Sequence, residues 1–171
     1  MRDAIRMANA AVFDRARQDR RLEGMGTTLV AMALGASSAW IANVGDSRCY
    51  RWRNGLLSRL THDHSLVEEQ IRIGRMTREQ ARRSPMQNVI TRAVGTRAEV
   101  VADIQEVDTL AGDVYLLASD GLTRDLSDHV LAAKLQASAG DLHAACIALI
   151  AAANAAGGRD NITCVLVGIA G

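Results

Sequence analysis

Three aspartates lie at the ends of apolar segments, where a carboxylate is well placed to bind a cation. Asp46 and Asp120 follow apolar runs, and Asp160 precedes one. A carboxylate beside a buried strand needs a partner charge, and aspartates without neighbouring Cys or His favour a hard cation such as Mg²⁺ or Mn²⁺. From spacing alone, the alternative is a turn or a helix cap, and for Asp46 the spacing favours a turn.

Other catalytic patterns are incomplete in the sequence. The glycine-rich stretch 24–28 lacks the lysine of a phosphate-binding loop, and no serine lies in a Gly-x-Ser-x-Gly elbow. His62 and His64 alternate around Asp63, but no further zinc ligands occur at a matching spacing. The three cysteines form no Cys-x-x-Cys pair. These patterns argue against a serine hydrolase, a zinc site and a redox motif.

Composition indicates one globular domain over residues 1–171, with 49% hydrophobic and 23% charged residues. The net charge of +1 argues against nucleic-acid binding. The longest apolar run, 144–156, is shorter than the ~20 residues of a membrane span, and the N-terminus has no apolar signal region. Unpaired cysteines suit a reducing compartment. We therefore expect a cytoplasmic protein without membrane contact.

The elements that must position the aspartates are predicted from periodicity and turn residues. Helical spacing predicts a helix from Arg2 to about Arg20, and Asn54-Gly55 between alternating runs predicts a β-hairpin. Thr77, Ser127 and Asp141 are predicted helix N-caps. Strands are expected at 27–34, 38–44, 49–53, 56–60, 100–107, 114–118 and 162–169. Strands joined by hairpins, together with separate helices, predict an α+β fold with an antiparallel sheet or sandwich.

Five stretches, in this order, resemble the bacterial form of the PPM, or type 2C, metal-dependent protein serine/threonine phosphatases. They are Gly24-Met-Gly-Thr-Thr28, Val44-Gly-Asp-Ser-Arg48, Thr61-His-Asp-His-Ser65, Asn88-Val-Ile-Thr-Arg-Ala-Val-Gly95 with Leu117-Ala-Ser-Asp-Gly-Leu122, and Gly157-Gly-Arg-Asp-Asn-Ile-Thr163. The resemblance covers almost the whole chain.

This resemblance implies an antiparallel β-sandwich flanked by helices in α-β-β-α layers, with a two-metal centre at one end. Metal-activated water then attacks phosphoserine or phosphothreonine in a protein substrate, so no side chain acts as the nucleophile. Asp120 and Asp160 match ligands of one Mn²⁺ or Mg²⁺ ion, and Asp46 matches a ligand of a third, weaker metal. The expected partners are a phosphoprotein substrate and a cognate serine/threonine kinase.

The sequence also departs from the family pattern. The family's early Arg and Asp, and its Asp-Gly-x-Gly-Gly segment with the metal-bridging Asp, do not occur in the 171 residues. Arg124 stands where many members have a further metal-binding Asp, with Asp125 next to it. We therefore expect an N-terminally incomplete domain that hydrolyses little on its own. The alternative is a non-catalytic binding or regulatory module with a phosphatase-like fold.

Overall fold

The computed structural model describes residues 1–170, apart from the side chain of Arg82. The helices of this part are α1 (Arg2–Gln18), α2 (Leu66–Arg72), α3 (Arg78–Arg82), α4 (Asp120–Thr123), α5 (Asp128–Ala137) and α6 (Leu142–Ala155), with a short 3-10 helix at Arg20–Leu22. The strands are β1 (Leu29–Leu34), β2 (Ser38–Val44), β3 (Arg48–Arg53), β4 (Leu56–Arg59), β5 (Asp103–Asp108), β6 (Val114–Ala118) and β7 (Cys164–Gly168).

A four-stranded antiparallel sheet has the order β4-β3-β6-β7. The hairpin between β3 and β4 turns at Asn54 and Gly55, with φ values of 50° and 79°. Two positive φ values in a two-residue loop match the twist of the flanking strands, so the predicted hairpin is confirmed. In the centre, Cys49 pairs with Leu117, and Leu117 pairs with Val165.

A second sheet has three strands in the order β1-β2-β5. The turn between β1 and β2 is closed by the Gly35 N–H, which donates to the Ser38 carbonyl at 2.8 Å. β2 is largely buried, with Ile41 1% exposed and Val44 fully buried, and it ends one residue before Gly45.

The chain divides into two compact units. Residues 1–31, 42–46 and 62–105 form the first unit, and residues 32–41, 47–61 and 106 onward form the second. In the first unit, Ile5 of α1 belongs to an apolar cluster with Val44 and Val94. The buried amide of Asn9 donates to the carbonyls of residues 97 and 98 and accepts from the Gly95 N–H. These contacts fix α1 in the first unit.

The second unit has the larger apolar cluster. The fully buried Leu116 of β6, Leu131 of α5 and Leu149 of α6 belong to it, with Tyr50 of β3 and Leu122 of α4. Each buried leucine contributes about 1.5–3 kcal/mol by leaving water. Because Ala118 of β6 and Leu122 of α4 both belong to this cluster, the apolar cluster holds both sides of the junction at residues 119–120.

The mixed α+β class with antiparallel sheets is confirmed, and most predicted elements occur close to their expected bounds. The strand predicted from residue 100 begins only at Asp103, because Val100 and Ala102 pack in the first unit's cluster without strand pairing. The sequence reading also missed α4, a single short helix that begins at Asp120. No helix in the described part of the chain is both long enough and apolar enough to cross a membrane.

Candidate metal site

The end of β6 and the start of α4 position Asp120. Ser119 precedes the helix in an extended conformation and makes no side-chain cap. Its hydroxyl instead accepts from the Thr163 N–H at 3.0 Å and lies 3.2 Å from the Asn161 carbonyl, to which it donates. Ser119 therefore ties the first residue of α4 to the segment that carries Asp160.

Gly121 lets this segment approach α4 closely. A β carbon on Gly121 would lie 2.3 Å from the Asn161 carbonyl oxygen and 3.4 Å from the β carbon of Asp160. Because real side-chain carbons do not come so close to a backbone oxygen, only glycine fits this position without a shift. Asp160 is further oriented by the Asn161 N–H, which donates to its Oδ1 at 2.8 Å.

The carboxylates of Asp120 and Asp160 converge on one guanidinium, that of Arg124. Arg124 Nη1 donates to Asp160 Oδ2 at 3.2 Å, and Arg124 Nη2 donates to Asp120 Oδ2. Arg124 follows Asp120 by four residues, the spacing at which helical side chains meet. The side chains of Asp120 and Asp160 stay 34% and 45% exposed, and that of Arg124 is 21% exposed. The partner charge expected beside these aspartates is thus an arginine of this chain.

The donor chemistry of the pair suits a hard divalent cation, since two carboxylates reach one cationic group. Among residues 1–170, no cluster of three or more His, Cys, Asp or Glu side chains is arranged to hold a metal. In the described part of the chain, Asp120 and Asp160 therefore meet each other at the Arg124 guanidinium and in no larger ligand cluster.

A second arginine–aspartate pair supports the segment 157–163. Arg159 donates to both oxygens of Asp125, whose side chain is only 5% exposed. The segment itself turns at Gly158, where φ is 54°, a left-handed value that favours glycine. Asp125 therefore binds Arg159.

Asp46 belongs to the first unit, whereas Asp120 and Asp160 belong to the second. It follows Gly45, whose φ of 104° and close packing on Thr28 both require glycine, since a β carbon would lie 2.4 Å from Thr28 Cγ2. The Gly45 N–H donates to the buried His64 Nδ1 at 3.0 Å. The chain therefore bends at Gly45 and Asp46, and a histidine binds the backbone of this bend.

His64 is held from its other side by a carboxylate. Its Nε2 lies 3.1 Å from Asp103 Oδ2, and Arg92 donates to Asp103 Oδ1 at 2.8 Å. Because Nδ1 accepts from Gly45, Nε2 carries the proton and donates to Asp103. Burial raises the pKa of Asp103, but the hydrogen bonds from His64 and Arg92 outweigh it, so the pKa lies below its ordinary value. His64 therefore holds the backbone at Gly45.

The sequence reading missed two features of these sites. The family pattern marks Arg124 only as a departure, and its contact with Asp120 depends on α4, which the sequence does not predict. The contact between His64 and Asp103 joins residues 39 positions apart, so no local pattern could have revealed it.

Comparisons with known proteins show the family of this chain. Residues 1–162 match the protein phosphatase 2C family. The chain is 40% identical over 167 residues to the serine/threonine phosphatase stp of Listeria monocytogenes, covering 98% of this chain and 66% of the relative. It is 36% identical to the serine/threonine protein phosphatase PstP of Mycobacterium tuberculosis, covering 97% of this chain and 32% of the relative.

Solved structures of serine/threonine phosphatases superpose on this chain. Serine/threonine phosphatase Stp1 from Staphylococcus aureus superposes with a TM-score of 0.93 at 32% identity, over 99% of this chain and 66% of that one. The catalytic domain of PstP in complex with two manganese ions superposes with a TM-score of 0.90 at 34% identity, over 99% of this chain and 70% of that one. The chain spans about two thirds of the length of the Listeria phosphatase. On these similarities of sequence and fold, the chain belongs to the protein phosphatase 2C family.

Proposed function

We propose that this protein hydrolyses phosphoserine and phosphothreonine in protein substrates with the help of Mn²⁺ or Mg²⁺. The observation that carries the proposal is the match of residues 1–162 to the protein phosphatase 2C family, in a chain that brings Asp120 and Asp160 together at the end of β6. The proposal is also supported by the 40% sequence identity between this chain and a serine/threonine phosphatase. A serine/threonine kinase with the same substrates is the expected partner, and the cytoplasm is the expected location.

In this proposal Asp120 and Asp160 hold one divalent metal, and Asp46 holds a further, weaker one. Divalent cations, when bound, lower the pKa of water and neutralise charge on a phosphoryl group. The chain's own contribution is to fix the carboxylates. Ser119 connects β6 to the 161–163 segment, and Gly121 allows the close approach of that segment. No side chain acts as the nucleophile in this proposal.

A second candidate function is a non-catalytic binding or regulatory module. The pairing of Arg124 with both carboxylates favours it, because the guanidinium already supplies the positive charge that a metal would bring. Such a module would retain a phosphopeptide-binding surface without turnover.

The two candidates are separated by measuring phosphate release from phosphothreonine and phosphoserine peptides, with the protein expressed from its own coding sequence. The phosphatase proposal predicts release in Mn²⁺ or Mg²⁺ and none in excess chelator, with phosphotyrosine peptides as the comparison substrate. Peptide binding without release in any metal would instead establish the regulatory module.

A further inference from the structure

We propose that Arg124 is an internal cation that occupies the Asp120–Asp160 site and competes with a divalent metal for it. The inference rests on the proposed function only in taking these two aspartates as metal-binding. It concerns metal affinity and how this chain sets it, not turnover.

The geometry places one guanidinium against two carboxylates from distant parts of the chain. Arg124 donates through Nη2 to Asp120 and through Nη1 to Asp160, which lies 36 residues further along. The two nitrogens of one planar group thus bind two separate carboxylates, a geometry that a lysine ammonium cannot reproduce with two fixed donors. Arg124 is therefore positioned as a bridging cation.

The charges predict competition. Two carboxylates and one guanidinium leave one net negative charge at the site. Without the guanidinium, two negative charges would face an incoming divalent metal and attract it more strongly. With Arg124 in place, the metal must either displace the guanidinium or accept a like charge within hydrogen-bond distance of its ligands.

The exposure of the groups predicts that displacement is possible. Asp125 is only 5% exposed, so its partner Arg159 offsets the cost of burying a charge. Asp120 and Asp160 are 34% and 45% exposed, so water can solvate them if Arg124 moves away. Exposed ion pairs contribute little to stability. The Arg124 contacts can therefore be exchanged for a metal without unfolding the unit.

The test measures Mn²⁺ affinity directly, without substrate, by the electron paramagnetic resonance signal of free Mn²⁺. Proteins expressed from the natural coding sequence are compared as wild type, Arg124→Met and Arg124→Lys. The matched control is Arg51→Met, because Arg51 pairs with Asp108 in the same unit and its side chain is 21% exposed, as that of Arg124 is. Arg51 pairs with Tyr115 near the start of β6, whereas Asp120 follows the end of β6, so the control makes the same change in net charge at the other end of this strand.

We expect Arg124→Met to bind Mn²⁺ about tenfold more tightly than wild type, or more, and Arg124→Lys to fall between the two. Arg51→Met should stay within about twofold of wild type, since salt screens a charge at the other end of β6. In the Arg124→Met background, Asp160→Asn should abolish the gain. Equal or weaker binding by a folded Arg124→Met protein, or a gain that survives Asp160→Asn, would overturn the proposal.

Folding is followed by circular dichroism in the same samples. An Arg124→Met protein that folds only when Mn²⁺ is added supports the proposal, because the metal then replaces the missing cation. If Arg124→Met and Arg124→Gln both stay unfolded in saturating Mn²⁺, Arg124 is a structural residue and the proposal fails. Absence of phosphatase activity in every variant would count against the proposed function alone, because the affinities are measured without substrate.

Discussion

Several aspartates of the second unit are paired with arginines. Arg53 donates through Nε and Nη2 to the two oxygens of Asp113, both at 2.6 Å, and also contacts Asp108. The Asp113 side chain is only 1% exposed. The hydrogen bonds from Arg53 hold the pKa of Asp113 below its ordinary value of 3.8, although burial opposes the shift. Asp113 is therefore charged and paired in the folded chain.

Asp113→Asn should lower the free energy of unfolding at pH 7 by about 1–3 kcal/mol, because it removes a charge-assisted bidentate contact. A carboxylate with a lowered pKa in the folded state stabilises above its unfolded pKa and loses that effect as pH falls through the folded value. The difference between wild type and Asp113→Asn should therefore be constant from pH 5 to 7 and should shrink below pH 3.8.

Urea unfolding at several pH values measures this difference. Asp3→Asn is the control, because the Asp3 side chain is 91% exposed and its contact with Arg6 spans 3.8 Å. If the difference in the free energy of unfolding between wild type and Asp113→Asn stays the same down to pH 2, the charge of Asp113 does not stabilise the fold.

Single residues were predictable from the sequence where their role depends on local position. The borders of apolar runs predict Asp120 and Asp160 as candidate site residues, and both lie where two chain segments meet. Their metal-binding role, like that of Asp46, stays a prediction. The bridging contact of Arg124 depends on the approach of residues 36 positions apart, which a local pattern does not contain.

At the scale of elements, the site depends on the packing of α4 against the 157–163 segment. Leu122 of α4 is fully buried in the second unit's apolar cluster. Moving α4 away from this cluster would expose Leu122 to water. The segment is held on the other side by the Arg159–Asp125 pair. The contact between Gly121 and the Asn161 backbone is therefore tight and has little room to adjust.

Gly121→Ala should destabilise the protein by about 1–3 kcal/mol, the usual cost of overpacking, because its β carbon would lie 2.3 Å from the Asn161 carbonyl oxygen. It should also weaken Mn²⁺ binding by separating Asp120 from Asp160. Thermal unfolding and Mn²⁺ titration measure the two effects.

Gly35→Ala provides the comparison, since its β carbon would meet its nearest neighbour, the Ser38 carbonyl oxygen, at 3.3 Å. We expect a smaller loss of stability and unchanged Mn²⁺ affinity for this control. A Gly121→Ala protein that matches wild type in both measurements would contradict the account of this packing.

Elements were predictable where capping and turn chemistry is local. Ser127 and Asp141 accept from backbone N–H groups three residues later, as their predicted N-cap roles require. Thr77 forms a full capping box with Gln80. The strand β5 was predicted too long, because the apolar residues before it are buried by packing and not by pairing. Strand order was also beyond local patterns, since β3 pairs with β6 across more than 60 residues.

At the scale of the whole molecule, the fold is that of the protein phosphatase 2C family. The resemblance of five motifs predicted this, whereas periodicity alone predicted only the α+β class. The organisation of residues 1–171 as one domain stays a prediction, and each of the two compact units has its own apolar cluster.

The measurement that tests the central claim most directly is kcat/KM for a phosphothreonine peptide in saturating Mn²⁺, with the protein expressed from its own coding sequence. Wild type is compared with Asp120→Asn and Asp160→Asn. The control is Asp141→Asn, because Asp141 caps α6 by accepting from the Ala144 N–H and asparagine caps helices equally well. We expect a loss of at least about 100-fold for Asp120→Asn and Asp160→Asn, because removing a charge-stabilising group costs about 10²–10³-fold, and no loss for the control. Activity of both site variants within a few-fold of wild type would contradict this expectation.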